Sequence, residues 1–370
     1  MAEHLFKQTG KDFRWPKGSP NKSISITVSP EETAELMEEI NRFLTEGLPE
    51  ALRKAAKRTA RSAVRQIVRR WEDQCEDILQ DEWNFRTGIA YRWGDAIDLL
   101  RVLKMSAMEV GDAFLRRDRR RKSPKNRLRN GVLIRLHARA CQVTGEIIAL
   151  LEAGYADGAF ARWRTLHEIT VVAFLIADHG DPLAERYLAH EAVEHEKTAR
   201  AFEKVHKALG QRPITKRDRK DIRAAFDDAL AKYGRGFEEQ YGWADMLRDG
   251  KRCTFDDLER LAGRSALRLH YKLASNTVHA SQRAIRHNLG GPGDHDVILA
   301  GPSNAGLEEA GSQAAYTLTA LTSLLVSAKV SIKQMVEMET LVILRNRASK
   351  AFMQTACDLD WEAGQDRGEV

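Results

Sequence analysis

Proline and cysteine are scarce in this chain, and each scarcity narrows what it can be. Nine prolines in 370 residues leave long stretches free for helix, in a composition rich in Ala, Leu, Arg and Glu. The four cysteines, Cys75, Cys141, Cys253 and Cys357, lie far apart and offer neither a zinc knuckle nor a redox Cys-x-x-Cys. A reducing, cytoplasmic setting without a cofactor is expected. The opening residues, MAEHLFKQTGKDFRWPKG, lack the apolar core of an export signal, and the most apolar later run, Ala314 to Val330, is broken by threonines, serines and Lys329. Neither export nor a membrane span is expected.

Several chemistries are also missing. Gly291, Gly293 and Gly301 follow no strand and fit no Walker or Rossmann pattern, which excludes the common nucleotide cradles. Ser275 has no Gly-x-Ser-x-Gly elbow. The run His190-Glu191-Ala192-Val193-Glu194-His195 resembles a HExxH helix loosely, but its histidines are five apart and so fall on different faces. Glu191 and His195 share a face and could join a metal site, yet a solvated charged helix explains the same letters; no metal is expected. Strand-like alternation is confined to Ser23–Val28 and Val297–Leu299, and there is no repeat of fixed period.

What is present is helix punctuation and basic charge. The formal charge of +6 hides an asymmetry: Arg53 to Arg70 holds eight basic residues and no acid, and Arg116 to Arg129 nine against Asp118. The first of these, which includes Arg65 and Arg69, lies on a helical pattern. It either lines a nucleic-acid backbone or solvates an outer face. The second, with Arg116, Arg117, Arg119, Arg120, Arg121 and Lys122, is either a phosphate-binding segment or a solvated linker.

The organisation that follows is an irregular arm over 1–28, an N-terminal helical region over 29–115, a basic linker over 116–130, a C-terminal helical domain over 131–357 and a frayed acidic tail over 358–370. Ser29-Pro30-Glu31-Glu32 and Thr254-Phe255-Asp256-Asp257 are helix starts, while Gly154, Gly180, Gly210, Gly234 and Gly263 mark stops. The expected fold class is all-α, an antiparallel helical bundle with an additional N-terminal helical region.

One stretch, Leu267 to Leu289, carries Tyr271, Ser275 and His279 at four-residue spacing, which puts all three on one face of a continuous helix. Arg164 and Glu168, also four apart, open the apolar helix thought to pack against it. Such a constellation either satisfies itself as a hydrogen-bonded packing face, or binds an anion through Arg164 while His279 moves a proton.

RxxxE over Arg164–Glu168 followed by YxxxSxxxH over Tyr271–His279 resembles a bacterial helical family known only as domain of unknown function 5677, over roughly residues 130 to 340. Ser275-Asn276-Thr277-Val278-His279 is also similar to the Asn-x-x-His end of the HEPN ribonuclease motif, with Ser275 in place of its usual Arg and Lys272 the nearest base at a permitted gap. That likeness implies a defence or toxin-type effector acting on RNA or nucleotide without metal. His279 would be its acid or base and Arg164 its phosphate clamp, with Glu168, Tyr271 and Ser275 positioning them. The alternative is a non-catalytic interaction module that docks to RNA, DNA or a protein partner through the basic N-terminal third.

Overall fold

The computed structural model describes residues 29–120, 123–279, 282, 299–326 and 331–366. Among these no strand occurs, and the chain is all-α as its composition implied. The arm over 1–28, both strand-like runs in whole or in most part, and Arg121 and Lys122 lie outside the described residues. No helix among the described residues is long and apolar enough to cross a membrane. The chain divides into two compact units, Met1–Gln80 and Asp81–Val370.

In the first unit α1 (Pro30–Arg42) opens on a reciprocal capping box, in which Ser29 Oγ accepts from the Glu32 N–H at 3.1 Å and Glu32 Oε2 accepts from the Ser29 N–H at 2.9 Å. A π-helical turn, Phe43–Gly47, carries the chain into α2 (Leu48–Arg119). The two helices follow each other almost without a break, because Pro49 falls directly after the widened turn, where its missing N–H is accommodated. From Ala51 to Gln80 every residue is exposed except the half-buried Cys75.

In the second unit the later turns of α2 bury Ile89, Trp93, Leu100 and Leu103 in the core. Arg116, Arg117 and Arg119, which open the segment read as a basic linker, form its last turn. The following residues are stitched into the body: Asn130, buried, donates to Asp118 at 2.6 Å, and Arg129 donates through its backbone N–H to Asp181 at 2.9 Å and through Nε to the Ala177 carbonyl at 3.0 Å.

A helical hairpin follows, α3 (Arg127–Glu152) and α4 (Ala156–Ala189), joined through Gly154 at φ 76°. Gly180 breaks α4 with φ 71° and ψ −154°, a backbone only glycine adopts freely, and Pro182 restarts the helix. Helices α5 (Glu191–Val205) and α6 (Lys216–Tyr233) pack around Glu196, a fully buried carboxylate that accepts from Arg200 at 2.7 Å and from Arg219 at 2.7 Å. A capping box at Thr254 opens α7 (Phe255–Leu261), and α8 (Arg268–Val278) follows.

The core closes on α9 (Leu307–Val326) and α10 (Ile332–Asp366). Trp163 of α4 donates from Nε1 to Thr317 Oγ1 at 2.9 Å, fixing α4 on α9. Helices α9 and α10 meet so closely at Gly311 that a Cβ there would lie 2.4 Å from Phe352 Cζ. The tail expected to fray from Asp358 continues α10 to Asp366.

Candidate functional site

The all-round apolar middle of α4, with Leu166, Val171, Leu175 and Ile176 fully buried, sets its first turns against α8. Four of the five residues singled out in the sequence meet across that contact. Arg164 donates from Nε to Ser275 Oγ at 3.1 Å and from Nη2 to Tyr271 Oη at 2.6 Å, and Nη2 lies 3.0 Å from Glu168 Oε1. Tyr271 donates to the same carboxylate oxygen at 2.7 Å, and Ser275 gives its own proton to the Tyr271 carbonyl at 2.8 Å. The Arg164 guanidinium also stacks on the Tyr271 ring, 4.6 Å from its centroid. Burial, then donation to Glu168, pushes the Tyr271 phenol well above its ordinary range, so it stays a donor.

His279 does not join them. Helix α8, expected to run on toward Leu289, ends at Val278, and His279 is its C-cap in extended conformation, φ −107° and ψ 146°, with an exposed side chain. The cause is local. Ser275 and Thr277 turn their hydroxyls onto the carbonyls of Tyr271 and Ala274, at 2.8 and 2.7 Å, and the run Asn276-Thr277-Val278 has weak helix propensity.

Behind the cluster is a layer that spacing could not reveal. His167, one residue before Glu168 and fully buried, is 2.8 Å through Nε2 from Glu259 Oε1, also fully buried and 92 positions away. Arg268 closes the pair from the other side, bonded to Glu259 and 3.1 Å from Asp256, with its guanidinium 5.5 Å from the Tyr271 ring centroid. A carboxylate can only accept, so Nε2 of His167 carries the proton and Nδ1 is left without a hydrogen-bond partner. Phe255, 4.7 Å from Tyr271 between ring centroids, completes an aromatic floor. A histidine beside the RxxxE motif was the only hint in the letters.

Arg162 turns away from the cluster to pair with Glu146. The HEAVEH segment divides as its spacing implied: His190 is buried against the Glu239 carbonyl at 2.9 Å, while His195 is exposed, 3.6 Å from Glu191. Of the candidate nucleic-acid contacts, Arg65, Arg69, Arg116, Arg117, Arg119 and Arg120 are all exposed, and Arg117 also donates to the Leu325 carbonyl at 3.3 Å.

Residues 130–296 match the model of a family of unknown function, DUF5677, so the family likeness carried by Arg164–Glu168 and Tyr271–His279 is shown over that segment. No curated protein and no solved structure matches the chain.

Proposed function

Taking residues 130–296 as a unit of that family, we propose that this is a non-catalytic helical interaction module of the cytoplasm, docking to nucleic acid or a protein partner through its basic N-terminal third. The observation that carries the reading is the closure of the polar cluster on itself. Arg164 is committed to Ser275, Tyr271 and Glu168, and the two guanidiniums of Arg164 and Arg268 face three carboxylates, Glu168, Glu259 and Asp256. No excess positive charge is left there to hold a phosphate. A general base must come within hydrogen-bond reach of the proton it takes, and the imidazole of His279 lies on the exposed helix end outside the network. Side-chain networks that tie two helices together fix how those helices pack. The exposed basic stretch of α2 offers what the cluster lacks, a row of cations in excess of acids, with Lys54 paired to Glu50 at 2.7 Å.

A second reading, HEPN-like chemistry on RNA in a defence effector, is favoured by one feature: the Arg164 and Glu168 side chains remain 24% and 32% exposed, so the cluster has an open edge. One experiment separates the two. Full-length protein, Arg164→Met and His279→Ala are incubated with labelled 30-nucleotide RNA. Binding that falls with salt and in Arg65→Glu/Arg69→Glu, without cleavage, is expected. Cleavage that disappears in folded His279→Ala would overturn the proposal.

A further inference from the structure

The exposed length of α2 within the first unit has an apolar stripe. Ala60, Val64, Ile67, Val68, Trp71, Cys75, Ile78 and Leu79 fall within about one third of the helix circumference at 3.6 residues per turn. Val64, Ile67, Val68, Trp71 and Leu79 are each at least half exposed, and nothing among the described residues of the unit covers them. The spacing from Val64 through Val68, Trp71, Cys75 and Ile78 alternates four and three, the seam of a two-helix coil. The stripe is bounded on its N-terminal side by Lys57 and Arg53, which continue the same face with charge.

Charge along the same helix is split about the middle of this stripe. Arg53 to Arg70 holds eight bases and no acid; Trp71 to Gln80 holds Glu72, Asp73, Glu76 and Asp77 and no base. Laid parallel, two such helices would set bases on bases and acids on acids. Laid antiparallel, each half meets its opposite.

We propose that α2 pairs with α2 of a second copy of this chain, antiparallel, with the two-fold axis between Arg69 and Arg70; the inference rests on the reading of the N-terminal third as a docking surface and names its partner. In this register Val68 packs on Trp71 of the second copy, Val64 on Cys75 and Ala60 on Leu79, so six of the eight stripe residues map onto one another, while Ile67 and Ile78 fall level with Glu72 and Arg61. Arg58, Arg61, Arg65, Glu72 and Glu76 share one flank of the stripe. The same register brings Arg65 within two positions of Glu72 of the second copy, about 3 Å along the axis, close enough for the two side chains to pair, twice by symmetry. A self-complementary patch of this kind is what a two-fold interface requires.

The test uses the full chain with Cys357→Ser, since Cys357 is exposed while Cys141 and Cys253 are buried. The antiparallel register holds the two Cys75 residues about 16 Å apart along the axis, eleven positions at 1.5 Å per residue. This protein should sediment as a dimer yet resist oxidation to a disulfide dimer. Adding Val64→Cys should give a disulfide dimer, and adding Cys75→Ser to that variant should abolish it. Arg65→Glu should weaken the dimer about tenfold, and Arg65→Glu/Glu72→Arg should restore it. A monomer, a Cys75–Cys75 cross-link in the Cys357→Ser protein, or a charge swap without rescue overturns the pairing. A monomer that binds 30-nucleotide RNA in an Arg65-dependent way removes self-pairing and leaves the docking surface standing. A dimer cross-linked as expected in a protein that cleaves RNA through His279 does the reverse.

Discussion

Acidification should destabilise the second unit through one imidazole, that of His137. The ring is buried, with Nε2 at 3.1 Å from Thr322 Oγ1. That hydroxyl already gives its proton to the Leu318 carbonyl at 2.8 Å, so it accepts from His137, and the ring is neutral with Nε2–H. On the other side Nδ1 lies 3.9 Å from the Cys141 thiol, a weak partner for a second proton. Burial therefore lowers the histidine from 6.5 to about 4. The unfolded chain protonates first as pH falls, so the contribution of His137 is fully present above pH 6.5 and is lost between there and about pH 4. The loss amounts to about 3 kcal/mol in full and about 2 kcal/mol between pH 7 and pH 5. Urea unfolding followed by tryptophan fluorescence at those two pH values measures it, since Trp93, Trp163 and Trp243 are buried in this unit. His137→Gln keeps a donor toward Thr322 but cannot titrate, so its stability difference between the two pH values should shrink by about 2 kcal/mol. An unchanged difference would refute both the tautomer and the burial argument.

Arg164→Met should lower stability by about 1–2 kcal/mol by stripping Ser275, Tyr271 and Glu168 of a shared donor, while leaving RNA binding intact; thermal melting beside a binding titration checks both. Glu259→Gln should cost about 3 kcal/mol, because His167 and Arg268 donate to different carboxylate oxygens and the amide NH2 would set a donor against one of them in a fully buried site; a urea midpoint shift of a few tenths of a molar or less contradicts this. Trp163→Phe keeps the stacking on Phe160 but loses the donor to Thr317, so a drop of about 1 kcal/mol is expected in the same assay.

Local grammar was the legible part. Ser29 and Thr254 cap helices because hydroxyl and carboxylate at three-residue spacing satisfy orphan amides, and Gly154, Gly180, Gly234 and Gly263 all take positive φ where stops were read. Arg164, Glu168, Tyr271 and Ser275 could be placed on two facing stripes because each pair lies one helical turn apart. Two things were not legible. His279 requires α8 to continue, and a few tenths of a kcal/mol of propensity at Asn276, Thr277 and Val278 decide whether it does. The His167–Glu259 pair joins residues 92 apart through a fold that no local spacing encodes. The basic run Arg116–Arg129 read as a linker by composition, whereas Asp118, Arg129 and Asn130 find specific partners in space.

Gly311 and Phe352 share a single volume, the ring occupying the place where a side chain on α9 would stand. Neither position is then free to drift alone. A lineage that acquires alanine at 311 keeps this helix crossing only by trimming the ring at 352, and one that enlarges 352 must hold glycine opposite. Among relatives the two positions should change as a linked pair, a genetic signature of how tightly α9 and α10 are drawn together.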